Sequence, residues 1–234
     1  MKTAAGLPLI YCALDTKDLG HAKEFSSLLT QAGCGVKLGL EFFNAHGPQG
    51  VQMILESRVK PSVFLDLKYH DIPNTVAGAI ESVASLDVSF LNVHASGGSE
   101  MMRAAKRACP DKTRLLAVTV LTSLNDSALE EVGQARPAAD QVLRLARLTH
   151  DAGLAGVVCS AHEIKTLRNA LPKSFVLMVP GIRPEGSDAG DQKRIMTPRQ
   201  AVEQGATHLV IGRPITQAKD PEGAVRDILA SIAP

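Results

Sequence analysis

The pattern that most limits how this chain can fold is an eightfold alternation of strand-like runs and helical segments. The strand-like runs are Leu9–Asp15, Gly35–Leu40, Ser62–Lys68, Val88–His94, Arg114–Leu121, Gly156–Ser160, Phe175–Gly181 and His208–Arg213. Between them lie amphipathic segments such as Leu19–Ala32, Pro73–Leu86, Ser99–Ala108, Asp140–Ala152 and Pro198–Gln204. The runs are nearly continuous in apolar residues, as parallel strands covered on both faces must be. This order predicts a (β/α)8 TIM barrel rather than an open sheet. Gly33, Gly153 and Gly205 stand where a helix must stop before the next strand. No linker or low-complexity run divides the 234 residues, so residues 1–234 are expected to form one barrel domain.

A barrel of this kind carries its active site at the C-terminal ends of its strands. The polar residues of this sequence gather there. The first run ends in Asp15, the second carries Lys37, the third ends in Asp66 and Lys68, and the fourth in Asn92 and His94. The fifth leads into Thr122-Ser123, the seventh into Pro180-Gly181-Ile182-Arg183, and the eighth into Gly212-Arg213. Side chains alternate along a strand, so Asp66 and Lys68 should share a face. Asp71 falls beyond that strand, just before Pro73, which can open a helix. Charges at the end of an apolar strand are costly unless paired or used. Asp15, Lys37, Asp66 and Lys68 would make an alternating array from three neighbouring strands. An ordinary ion-pair network at a barrel mouth has the same composition, and Asp71 could equally cap the helix. Convergence of all four groups on the ligand face favours chemistry.

Two further segments suit a phosphate. Gly212 and Arg213 follow the last strand, where barrels often hold phosphate, and Arg offers paired donors. The connection from Gly181 to Thr197 is long for its place, as lids and disordered loops are, and it carries Arg183 and Gln192. Either segment can also be plain solvated surface. His94 invites a base or metal reading, but a single strand-end His is more often a satisfied hydrogen-bonding residue. None of the seven histidines forms H-E-x-x-H or a comparable ligand spacing. No G-x-G-x-x-G motif, Walker A loop or G-x-S-x-G elbow occurs. Neither a metal nor an organic cofactor is expected, although carboxylates near a histidine could still hold Mg²⁺.

Composition narrows the partners. A formal net charge of +1 gives no electrostatic reason to bind nucleic acid or an acidic membrane. Aromatic residues are only 3% and Trp is absent, which leaves little for base stacking. Cys12, Cys34, Cys109 and Cys159 are dispersed and read as buried thiols in a reducing compartment. Met1 to Pro8 lacks the apolar stretch of a signal peptide, and no run approaches a membrane span. A cytoplasmic protein is the expectation.

The string Asp66-Leu67-Lys68-Tyr69-His70-Asp71-Ile72-Pro73-Asn74-Thr75 resembles the signature of the orotidine 5′-phosphate decarboxylases of bacterial type. The resemblance spans essentially the whole chain in the family's order. It takes in Ala13-Leu14-Asp15, Val36-Lys37-Leu38-Gly39, Asn92-Val93-His94, Leu121-Thr122-Ser123, Pro180-Gly181-Ile182-Arg183, Asp191-Gln192-Lys193-Arg194 and Ile211-Gly212-Arg213-Pro214-Ile215, and no motif is missing. It implies cofactor-free conversion of orotidine monophosphate to uridine monophosphate in pyrimidine biosynthesis, with Lys68 as proton donor. It implies that Asp15 and Lys37 hold the ribose hydroxyls and that Asp66 faces the substrate carboxylate. Asp71 and Thr75 would enter the site of the other subunit of a homodimer. Thr122 and Ser123 would address the pyrimidine, and Arg183, Gln192, Gly212 and Arg213 the phosphate. The nearest rivals are sugar-phosphate enzymes of the same superfamily, which share Asp-x-Lys-x-x-Asp but use Mg²⁺. A non-catalytic ligand-binding barrel is more distant, because no charged position is eroded.

Overall fold

Parallel strands can hide both faces only when helices cover the outside and side chains fill the inside. The computed structural model, which describes residues 3, 6–134, 137–184 and 196–233, has this form. Strands β1 (Ile10–Leu14), β2 (Gly35–Gly39), β3 (Val63–Tyr69), β4 (Phe90–His94), β5 (Arg114–Val118), β6 (Gly156–Val158), β7 (Val176–Pro180) and β8 (His208–Ile211) close into a parallel barrel in sequence order. The covering helices are α1 (Leu19–Gln31), α2 (Leu40–Leu55), α3 (Pro73–Ser82), α4 (Gly98–Ala108) and α5 (Asp126–Glu131). They continue with α6 (Ala138–Asp151), α7 (Ile164–Ala170), α8 (Pro198–Glu203), α9 (Arg213–Thr216) and α10 (Pro221–Ile232).

Local chemistry explains several boundaries. The Asp18 carboxylate accepts from His21 N and starts α1. Pro73 occupies the first position of α3, where its missing N–H costs nothing. Thr197 and Gln200 form a reciprocal capping box at the head of α8. Gly33, Gly153 and Gly205 all have positive φ after α1, α6 and α8, as their placement in the sequence predicts. Except for β3, the strands are shorter than the apolar runs that announce them. β5 stops at Val118 rather than Leu121, because its neighbour β6 pairs no further than Val118↔Val158.

The inward positions decide where chemistry can occur. Tyr11, Phe64, Phe90, Leu116, Val176, Met178 and Val210 pack inside the barrel. Tyr11 and Phe64 each meet Phe90 edge to face, at centroid separations of 5.5 and 6.1 Å. Burying each such ring contributes roughly 1.5–3 kcal/mol. Two residues further along β3 and β4 the same inward register brings Asp66 and Asn92, so charged and amide groups enter the interior at its C-terminal end. A second, larger apolar core lies between strands and helices. No helix among the described residues is long and apolar enough to cross a membrane. All four cysteines are free and buried.

Candidate active site

Asp66 is the centre of the C-terminal mouth. Its side chain is 11% exposed, and both of its oxygens face cations. Oδ1 accepts from Lys68 Nζ at 2.7 Å, and Oδ2 lies 3.3 Å from Lys37 Nζ. Lys37 in turn reaches Asp15 Oδ1 at 3.5 Å. The four groups thus form one continuous array, Asp15–Lys37–Asp66–Lys68, across β1, β2 and β3. Burial alone would raise the Asp66 carboxyl. The fields of Lys37 and Lys68, with hydrogen bonds from Lys68 and Asn92, outweigh that and hold it below the usual carboxylate range. Asp66 is therefore a fixed anion at neutral pH.

The route by which Lys68 reaches Asp66 differs from simple alternation. Lys68 has φ 51, and no other described non-glycine residue has a positive φ. The β3–β4 register shifts between Leu65 and Tyr69 at this point. The irregularity swings the lysine over the mouth.

Beside the array is a cavity of about 200 Å³. Lys37, Asp66 and Lys68 line it together with the apolar Phe64, Val118, Val120, Val158, Pro180 and Val210. An apolar slot with a few convergent charges can hold a flat ligand and set one ammonium against one of its atoms. Thr122, itself exposed, also lines the cavity, whereas the exposed Ser123 is not among its lining residues.

The remaining expected site residues divide into those near the mouth and those directed elsewhere. Arg213 is exposed at the start of α9, immediately beyond β8. Among the described residues a Cβ on Gly212 would meet only Ala13 Cβ, at an ordinary 3.6 Å. Arg183 is 6% exposed, and its Nη1 donates to Ile182 O at 3.0 Å. Gln192 lies outside the described residues. Asp71 and Thr75 are exposed, and Asp71 forms no ion pair with the array among the described residues. Nor does Asp71 cap α3: its Oδ1 accepts from Ile72 N at 2.6 Å, and the capping position is Ile72 itself. His94 stacks near His70 at 5.6 Å. Burial, helped by His70 and Lys68, pushes its pKa down, so it is neutral near pH 7.

Two residues of the mouth carry more weight than their sequence positions suggest. Asn92, fully buried, hydrogen-bonds both Asp66 and the Lys68 backbone. A Cβ on Gly39 would come within 3.1 Å of Lys37 Nζ and 3.5 Å of Asp15 Oδ1. Gly39 therefore leaves room for the Lys37–Asp15 pair, a need that no spacing in the sequence announces. Among the described residues no group of three or more His, Cys, Asp and Glu could hold a metal ion.

Fold and mouth together define a (β/α)8-barrel protein with an Asp–Lys array, centred on the buried Asp66, at the C-terminal ends of its strands. A model of the orotidine 5′-phosphate decarboxylase / HUMPS family matches residues 8–228, and the chain belongs to that family. It is 54% identical over 229 residues to the orotidine 5′-phosphate decarboxylase of Idiomarina loihiensis, covering 97% of this chain and 98% of that one. It is 50% identical over 229 residues to the enzyme of the same name from Psychromonas ingrahamii, covering 96% and 97%. The crystal structure of orotidine 5′-phosphate decarboxylase from Lactobacillus acidophilus superposes with TM-score 0.85 at 36% identity, covering 97% of this chain and all of that one.

Proposed function

We propose that this chain decarboxylates orotidine 5′-monophosphate to uridine 5′-monophosphate without a cofactor. Lys68 would both stabilise and protonate the carbanion. The observation that carries the reading is the Lys68 ammonium, held 2.7 Å from a buried Asp66 beside an apolar slot. In the reaction the bond from C6 to the carboxylate breaks, CO₂ leaves, and the electron pair stays on C6. That pair lies in the ring plane and cannot delocalise into the ring carbonyls. A fixed ammonium beside C6 answers the charge as it develops. A proton then moves from Lys68 Nζ to C6, and the neutral amine is reprotonated from solvent. Asp66 would hold the Lys68 ammonium in place through its 2.7 Å contact and face the departing carboxylate. Repulsion between the two acids is a further, contested contribution.

Asp15 and Lys37 would hold the ribose hydroxyls, Thr122 and Ser123 the pyrimidine edge. Arg213, Gly212, Arg183 and Gln192 would take the phosphate, whose binding energy can be used to assemble the site. The free, buried cysteines suit a reducing cytoplasm. The deciding assay follows loss of orotidine monophosphate absorbance, with and without exhaustive chelation. Full turnover in both supports the reading. Activity lost to EDTA and restored by Mg²⁺ would move the chain to the sugar-phosphate branch of the superfamily.

The reading also makes the protein a homodimer with shared sites. Asp71 and Thr75 are exposed beside Ile72, itself 66% exposed, a surface suited to meeting a second copy. Lys68→Ala and Asp71→Ala homodimers should each be nearly inactive. After subunit exchange, a heterodimer has one site with both lesions and one with neither, and activity returns, up to about half per heterodimer if sites are independent. Verified exchange without recovery would place Asp71 in its own chain's site.

A further inference from the structure

Asn92 touches both residues that the proposed chemistry requires. It stands on β4 at 0% exposure. Its Nδ2 donates to Asp66 Oδ1 at 2.7 Å, and its Oδ1 accepts from Lys68 N at 2.8 Å. These bonds fix the amide's orientation. An ionised carboxylate can only accept and a peptide N–H can only donate, so a flipped amide would lose both.

The second bond meets the backbone where it is least ordinary. Register pairs run Phe64↔Phe90 and Leu65↔Leu91, then jump to Tyr69↔Val93. Between Leu65 and Tyr69 strand β3 advances four residues while β4 advances two. The excess leaves the Lys68 N–H without a ladder partner, and Asn92 supplies one. L side chains avoid the left-handed region that Lys68 occupies, so something must hold it there.

We propose that Asn92 is a positioning residue: it pins the Lys68 backbone in its left-handed conformation and turns the Asp66 carboxylate toward the lysine, fixing where the ammonium is delivered. This role rests on the decarboxylase reading. The groups facing Asp66 are Lys37 on β2, Lys68 on its own strand, and Asn92 and His94 on β4, with Asp15 beyond Lys37.

The test compares wild type with Asn92→Ala and Asn92→Asp. Three quantities are measured: turnover against pH, affinity for uridine monophosphate, and the structure around residue 68. In Asn92→Ala, kcat should fall about 10- to 100-fold while KM and product affinity move less than about threefold. Residue 68 should leave the left-handed region. Asn92→Asp is nearly isosteric and covers the case where the alanine variant does not fold. Its side chain still accepts from Lys68 N but sets a second carboxyl against Asp66. Two adjacent carboxyls share a proton more readily than both ionise. While that proton is held, the new acid can donate to Asp66 as the amide did. As pH rises and the proton leaves, activity should fall along a limb absent from wild type. A folded variant with wild-type kcat, an Asn92→Asp profile parallel to wild type, or an unchanged Lys68 backbone in Asn92→Ala would each overturn the assignment. A wild-type protein inactive on orotidine monophosphate would overturn the decarboxylase reading alone. The position of residue 68 in Asn92→Ala would still decide the role of Asn92.

Discussion

Both ends of this barrel place one aspartate between two lysines. At the C-terminal end Asp66 lies between Lys37 and Lys68. At the N-terminal end Asp87 contacts Lys60 and also lies 2.9 Å from Lys112. Both carboxyls are held below their usual pKa. The cavity at the N-terminal end is also the larger, about 670 Å³ against about 200 Å³. Charge pattern, pKa direction and size therefore fail to separate the end proposed to react from the other. Burial and aim do separate them. The Asp66 side chain is 11% exposed and that of Asp87 49%. At Asp66 opposing fields overcome a large burial penalty, whereas at Asp87 two exposed lysines simply donate hydrogen bonds. Water and salt screen the second cluster, but screen the first far less. Only the first has its lysines facing an apolar slot.

The largest difference between the ends should appear on removing one lysine from each. Lys68→Ala is expected to lower turnover by at least about a thousandfold while leaving a folded protein that binds uridine monophosphate. Lys60→Ala should leave turnover within about twofold of wild type. Comparable losses in steady-state kinetics would erase the distinction.

Phosphate recognition sharpens the same contrast. Arg213→Ala should weaken use of the phosphorylated substrate by about 2–5 kcal/mol, with far less effect on an orotidine analogue lacking phosphate. Equal losses on the two substrates would remove Arg213 from the phosphate site. Arg114, the arginine of the N-terminal cavity, should show no such discrimination when replaced.

Stability at low pH belongs to the N-terminal half of the interior. His208 is 1% exposed, and burial, with Arg114 nearby, lowers its pKa from 6.5 to about 4. Thr207 Oγ1 donates to Leu177 O, so it accepts from His208 Nδ1, leaving the buried Nε2 as an unpartnered acceptor among the described residues. Between those pH values the unfolded chain binds the extra proton. Stability should therefore be full above about 6.5 and fall by up to about 3 kcal/mol toward pH 4. Denaturant unfolding of His208→Gln should lose most of this dependence. An unchanged pH slope would mean that other groups set it.

The smallest effect is expected at the exposed cluster. Asp87→Asn should cost about 0–1 kcal/mol, less at high salt, without altering kcat. A loss above about 2 kcal/mol in urea melts, or any change in kcat, would mean that exposure understates the role of this aspartate.

The barrel was legible because eight apolar runs alternate with helical patterns and glycines end several of the helices. The Asp15–Lys37–Asp66–Lys68 array was legible because strand ends converge in a barrel wherever their residues lie in the chain. What escaped depends on features that alternation does not encode. The left-handed Lys68 arises from a register shift against β4. Asn92 reads as one more polar strand end until its two bonds are seen. The kink of α2 at Gly47 and Pro48 interrupts the helical period that would have announced it. The Lys60–Asp87–Lys112 cluster joins residues 27 and 25 positions apart, from the approaches to three strands. No local motif marks it.

The most direct test is a crystal structure with uridine monophosphate bound, because both ends offer a cavity and cationic side chains. The account predicts the nucleotide at the C-terminal mouth, its ring in the slot between Phe64 and Val210 with C6 facing Lys68 Nζ, and its phosphate at Arg213. A nucleotide seated instead in the N-terminal cavity, its phosphate among Lys60, Lys112 and Arg114, would contradict it.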